Sequence, residues 1–167
     1  MINKNQLTER SFTPSQLSGF DGAHSIQLPV DFIHDLSKAD SLQAVLDTIA
    51  YWISHVFDAD RASITLQDTE EYLKLYSISG NHAIPMDFKI PIGQTFVGRV
   101  FACAKLIICD DLAQSDELDC RMLSEHGMGT CMDAPMIHNG VCIGTLNVAD
   151  QRKHHYTLQQ AILLQSL

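Results

Sequence analysis

The sequence predicts an α+β domain in which one antiparallel sheet is surrounded by helices. Apolar residues between Leu42 and Phe57 recur with the spacing of one helical face. Residues 61–67 and 72–79 form two alternating apolar-polar runs on either side of a turn, which indicates a hairpin. Asn139-Gly140 is a second and stronger hairpin signal. Hairpins pair their strands antiparallel, so the sheet is expected to be antiparallel.

The other elements follow from caps, turns and short apolar runs. Residues 1–31 are polar and lack a sustained period, which predicts a flexible lead-in to a domain spanning residues 32–167. Asp40 is expected to cap the long helix. The remaining predictions are a strand over 86–92, a helix after Thr95, a buried strand over 106–109, a helix capped by Ser115 and ended by Gly127, and a last helix opened by the capping box Thr157-x-x-Gln160.

Composition excludes several classes of protein. The net charge is −9, and no basic run is present, which argues against a nucleic-acid partner. No apolar stretch approaches the roughly 20 residues of a membrane span, and the start lacks the apolar core of a signal peptide, so we expect a cytoplasmic domain without a membrane partner. The last helix has no stop signal, which predicts that it continues into an output domain.

The segment 129–150 carries reactive side chains, but its geometry opposes a site made of two cysteines. In a regular hairpin around Asn139-Gly140, Asp133 faces Leu146 and Cys131 faces Val148. Cys131 and Cys142 then share a face but lie about six residues apart, or roughly 20 Å, which is too far for a disulfide. Asp133 is an acid on an apolar strand pair, so it either borders a polar cavity or lies at a solvated strand end.

Several phrases, in this order and spacing, resemble a GAF domain, a small-molecule sensor module of bacterial signalling proteins. The resemblance covers about residues 32–167. The phrases are "FDADRASITL", "KIPIGQTFVGRVFACAKLIICDDL", "APMIHNGVCIGTLNVAD" and "HYTLQQAILLQSL".

The resemblance implies a GAF/PAS-like central six-stranded antiparallel sheet flanked by helices, with a pocket between the sheet and residues 93–128. It also implies a homodimer through the terminal helices and a C-terminal output domain such as a nucleotide cyclase, a diguanylate cyclase or a histidine kinase. On the GAF template, a small-molecule ligand would be bound by Phe88, Phe96, Ile108, Asp110, Asp111, Leu118, Met122, Met128, Cys131 and Asp133.

Catalysis is not expected, and the cofactor is left unknown because no metal, bilin or haem motif is evident. Some GAF domains resemble free methionine-R-sulfoxide reductases, whose last strand carries two acids where this chain has Asn147 and Ala149. Cys120 is followed by Arg121, unlike a bilin-bearing cysteine, and the acidic run at 110–119 lacks calcium-loop spacing. A ligand-free dimerisation module and a thiol redox enzyme or sensor stay open as alternatives.

Overall fold

The computed structural model describes residues 8–19 and 28–167. The helices are α1 (Pro14–Gly19), α2 (Val30–Lys38), α3 (Leu42–Val56), α4 (Phe96–Cys103), α5 (Leu118–Glu125) and α6 (Leu158–Ser166). The strands are β1 (Glu9–Phe12), β2 (Arg61–Gln67), β3 (Tyr72–Gly80), β4 (Ile90–Pro91), β5 (Leu106–Cys109), β6 (Thr130–His138) and β7 (Val141–Asp150). No helix among these described residues is long and apolar enough to cross a bilayer.

The strands form one antiparallel sheet in the order β1-β5-β6-β7-β2-β3-β4. The sheet has seven strands where six were predicted, because β1 lies in the segment predicted to be a flexible lead-in. Charge pairs help to hold β1 against the sheet. Arg10 donates two hydrogen bonds to the Asp110 carboxylate, at 2.6 and 3.0 Å, and Glu9 pairs with Arg99. The lead-in predictions for residues 1–7 and 20–27 lie outside the described residues.

Most local predictions are confirmed, and the misses have local causes. Helix α3, both hairpins and the Thr157 capping box are present. The cap of α3 is Ser41 rather than Asp40, since the Ser41 hydroxyl accepts the Ala44 amide. Helix α5 begins at Leu118, because the Ser115 hydroxyl accepts the Glu117 amide in the preceding turn. The strand predicted over 86–92 pairs only at Ile90–Pro91.

A β-bulge corrects the predicted register of the last hairpin. Ile137 faces Cys142 as expected, but Met136 faces Gly144, so Ile143 is the extra residue on β7. Beyond the bulge every pairing is shifted by one, so Asp133 faces Asn147 and not Leu146. Gly144 is required there, because a Cβ atom at this position would lie 2.1 Å from the Thr65 carbonyl oxygen.

The sheet separates two cores. On one face, Ile64, Met132 and Leu146 pack with residues of α3 and α6. On the other face, Cys109, Cys131 and residues of α4 and α5 form the second core. The bulge decides which β7 side chains enter which core, because a one-residue slip exchanges the two faces of a strand.

Candidate functional site

A cavity of about 30 Å³ lies between the sheet and the α4–α5 layer. This volume accommodates one or two water-sized groups. Apolar side chains such as Ile84, Ile90, Val97 and Leu123 form part of the lining. Polar side chains form the rest, and they are Arg61, Ser63, Thr65, Asp119, Asp133 and Asn147.

Asp133 and Asn147 stand opposite each other on β6 and β7 and line this cavity. The Asn147 amide nitrogen donates to the Ser63 hydroxyl at 3.2 Å, while its Oδ1 atom is buried without a partner. Within the described residues the Asp133 carboxylate has only charge neighbours and no hydrogen-bond donor. Burial raises the pKa of Asp133 well above its usual value, although Arg61 opposes this shift. Two adjacent strands therefore present unused acceptors to the cavity.

Arg61 holds the segment after β3 over the cavity. Its guanidinium donates to the carbonyl oxygens of Asn81 at 2.7 Å and Ile84 at 3.2 Å. Burial lowers the pKa of Arg61 to about 10, with Asp133 acting in the opposite direction, so the group stays cationic at neutral pH. Arg61 thus supplies positive charge near Asp133 while its terminal nitrogens bind backbone.

Asp119, on α5, lines the cavity and binds the first turn of α4. Its carboxylate accepts the amides of Phe96 at 2.8 Å and Val97 at 2.9 Å. Both amides belong to the first turn of α4, where the helix has no internal acceptors for them. Burial raises the pKa of Asp119, and these amide hydrogen bonds oppose that rise. The Asp119 carboxylate is therefore structurally engaged even though it borders the cavity.

Three buried thiols lie beside the cavity. Cys109 and Cys131 are directly paired on β5 and β6, and Cys120 approaches them from α5. Burial raises the pKa of Cys131, and the Cys120 thiol together with burial raises the pKa of Cys109. Raised pKa values keep thiols protonated and poorly nucleophilic. No three or more His, Cys, Asp or Glu side chains of the described segments are arranged to hold a metal ion.

The structure brings two of the ten template-derived ligand residues to the cavity, Cys131 and Asp133. Ile108 lies in the core on the opposite face of the sheet. Asp110 is bound by Arg10, and Asp111 accepts the Ala113 amide and pairs with Lys153. The remaining apolar candidates pack around the second core or begin α5, and they are Phe88, Phe96, Leu118, Met122 and Met128. A ligand role for these eight stays a prediction.

Sequence reasoning missed Arg61, Ser63 and Asp119. Arg61 and Ser63 belong to the polar half of an alternating strand, which normally faces solvent, and here that half is buried under α4 and α5. A signal was present in Arg61 itself, since a charged residue opens an otherwise uncharged strand. In the sequence, Asp119 belongs to the acidic run at 110–119, and nothing in the neighbouring residues indicates its contact with α4.

A second and larger groove of about 580 Å³ lies on the other face, bordered by α2, α3 and α6. Its lining is mostly apolar, with residues such as Phe32, Ile49 and Leu164. Apolar walls can enclose a ligand, but polar groups are needed to orient it. The smaller cavity is therefore the better candidate for specific recognition.

A curled antiparallel sheet with α3 and α6 on one face and, on the other, a cavity covered by α4 and α5 is the arrangement of a GAF-type α+β domain. The GAF domain family model matches residues 41–167, and the chain belongs to this family. No curated protein sequence matches the chain.

Solved structures share the fold at low sequence identity. The GAF domain of a phosphoenolpyruvate-protein phosphotransferase from Coxiella burnetii is 17% identical, with a TM-score of 0.69 over 80% of this chain and 82% of that one. The free methionine-R-sulfoxide reductase from Neisseria meningitidis is 18% identical, with a TM-score of 0.68 over 87% and 90%. A GAF domain region of a putative membrane protein from Geobacter sulfurreducens is 22% identical, with a TM-score of 0.63 over 81% and 89%.

Proposed function

We propose that this chain is a non-catalytic sensor or regulatory GAF domain of a signal-transduction protein and binds a small molecule in the cavity beside Asp133. The observation that carries the proposal is the buried Asn147 Oδ1 atom, which has no partner and lies opposite an Asp133 carboxyl that accepts no hydrogen bond. A buried polar atom without a partner costs about 1–3 kcal/mol, and a bound ligand would recover that free energy.

Two observations support the absence of catalysis. Asn147 and Ala149 line the cavity where the sulfoxide reductases, by resemblance, carry acids. Cys131, the thiol that borders the cavity, is held protonated by burial. A nucleophile needs a thiolate, and a proton-transfer step needs positioned acids.

The wider proposal is a cytoplasmic homodimer that transmits ligand binding to a C-terminal output domain. Exposed apolar side chains on α3 support a protein contact there, including Leu42 at 65% exposure and Tyr51 at 50%. Sedimentation equilibrium tests the oligomeric part: a dimer mass is expected, and a monomer at high concentration would exclude it.

A thermal-shift screen tests the sensor proposal, using cyclic nucleotides, amino acids, amines, 2-oxo acids and haem. A hit should stabilise the wild-type chain but not Ala149→Val, which fills the cavity. The matched control is Ala113→Val, which adds the same two methyl groups at an exposed site. Circular dichroism must first show that Ala149→Val is folded. The absence of any stabilising compound, or equal stabilisation of both variants, would contradict the proposal.

The small volume of the cavity favours a second candidate, a GAF module that acts by dimerisation alone. At about 30 Å³ the cavity holds little more than solvent in this conformation. This candidate predicts a dimer in sedimentation together with no hit in the screen. A confirmed ligand at the cavity would exclude it.

A further inference from the structure

The unused acceptors of the cavity are concentrated at one point. Asp133 and Asn147 are directly opposite in the β6–β7 ladder, where facing Cβ atoms lie about 5 Å apart. Asp133 contributes two carboxylate oxygens and Asn147 contributes its buried Oδ1 atom. Both residues are nine-tenths buried or more, with exposures of 5% and 9%. Together they form a cluster of acceptors that calls for a group with several donors.

The surrounding side chains do not direct donors at these oxygen atoms. The terminal nitrogens of Arg61 donate to the carbonyl oxygens of Asn81 and Ile84. The Asn147 nitrogen donates to Ser63, and the hydroxyls of Thr65 and Thr145 bind each other. Arg61 and Ser63 retain further N–H and O–H donors, but none of the described residues that line the cavity donates a hydrogen bond to the Asp133 carboxylate.

The charges that line the cavity also favour a ligand with hydrogen-bond donors, in particular a cationic one. Asp133 and Asp119 bring two carboxylates to the lining, and Arg61 brings one guanidinium. With both acids ionised the lining would carry an excess of one negative charge, which the buried site disfavours unless a cation is bound. A ligand with a single positive charge would neutralise it.

We propose, building on the sensor function above, that the cavity recognises the primary ammonium head of a small amine. An ammonium group has three N–H donors, which matches the two oxygens of Asp133 and the Oδ1 of Asn147. Its size is close to that of a water molecule, so it fits a cavity of about 30 Å³. A carboxylate or phosphate head would instead meet oxygen atoms that repel it.

Chemical-shift titration in ¹H–¹⁵N NMR spectra tests the proposal, because the Asn147 side-chain amide reports from inside the site. The probes are methylammonium chloride and ethanolammonium chloride, against acetamide and sodium acetate at matched ionic strength. We expect saturable shifts of the Asn147 amide with the two amines. In Asp133→Asn the apparent dissociation constant should rise at least about tenfold, because a buried charged partner is lost.

The matched control is Asp116→Asn, which removes the same charge from an exposed site outside the cavity. It should bind the amines as the wild-type chain does. Asp133→Asn keeps the size and polarity of the side chain, and its ¹H–¹⁵N spectrum must first show that it is folded, so that a loss of binding reports the missing carboxylate.

Three results would overturn the inference. They are the absence of saturable shifts with either amine, equal or tighter binding of acetate or acetamide, and unchanged amine binding by Asp133→Asn. Tight binding of acetate or acetamide would leave the sensor proposal standing and refute only the ligand class. The sensor proposal itself is decided by the broader screen and the Ala149→Val variant.

Discussion

The two faces of the sheet carry different kinds of side chain, apolar on one and partly polar on the other, although the same strands supply both. On the face covered by α3 and α6, called here the helix-packed face, β2 and β6 contribute Ile64 and Met132, which are almost fully buried among apolar neighbours. On the cavity face, the adjacent residues Ser63 and Asp133 are also buried, at 5% exposure each, yet they are polar. Alternation along a strand that is covered on both sides thus divides the sheet into an apolar face and a face with polar side chains at a cavity.

The two faces therefore contribute differently to the free energy of unfolding. Burying an apolar side chain contributes about 1.5–3 kcal/mol, whereas burying a carboxylate without a partner is costly. The helix-packed face offsets the cost of the other one. Substitutions on the two faces should therefore change stability and ligand binding independently.

The largest effect is expected from Ile64→Ala on the helix-packed face. Removing this 1%-exposed side chain should lower the free energy of unfolding by about 3 kcal/mol, through lost burial and a residual cavity. Urea unfolding measures the loss. Ligand binding by the folded fraction should be unchanged, and altered binding would show that the two faces are coupled.

Asp119→Ala should cost about 2 kcal/mol, because it leaves the Phe96 and Val97 amides buried without acceptors. Asp119→Asn keeps one acceptor oxygen and should lose about half as much. Urea unfolding compares the two, and hydrogen exchange at Phe96 and Val97 should be faster in Asp119→Ala. Equal stability of both variants would mean that the carboxylate does not hold the start of α4.

Asp133→Asn should act in the opposite direction and raise the free energy of unfolding at neutral pH, because burial disfavours the ionised carboxyl more than Arg61 stabilises it. Burial raises the pKa of Asp133 in the folded chain, whereas the unfolded carboxyl titrates near about 3.9. Between these two pKa values the folded state binds more protons, so the stability of the wild type falls as pH rises.

The advantage of Asp133→Asn should therefore be small near pH 4 and grow at higher pH, by up to about 1.4 kcal/mol per pH unit until the folded pKa is passed. Urea unfolding of both proteins between pH 4.5 and pH 8 measures the difference, from which the contributions of other carboxyls largely cancel. An advantage that shrinks as pH rises would show that the ionised carboxylate is stabilised after all.

The smallest effect is expected from Thr157→Ala, at about 1 kcal/mol, because Thr157 caps α6 through the Gln160 amide. Thermal unfolding measures the change, and Thr157→Ser, which retains the hydroxyl, is the control. Cavity ligands should bind this variant normally, since α6 lies against the helix-packed face.

Local patterns determined most of the secondary structure from the sequence alone. Helix α3, the two hairpins and the capping box were predictable because periodicity and hydrogen-bonding turn residues act over only a few positions. Strand β1 was not, because its place depends on charge pairs between Glu9 or Arg10 and residues about 90–100 positions away. The sequence also identified Asp133 as an anomalous acid, without deciding between a cavity and a wet strand end.

Only the tertiary structure decided what that acid faces. One bulge beside Gly144 shifts the register, so that Asn147 rather than Leu146 joins Asp133. Burial under α4 and α5 then turns the polar half of β2 from a solvent-facing surface into the lining of a cavity. The amino-acid order determined which side chains alternate. The bulge and the covering helices determined the face on which they lie, because a strand has a period of two and a single extra residue reverses every assignment beyond it.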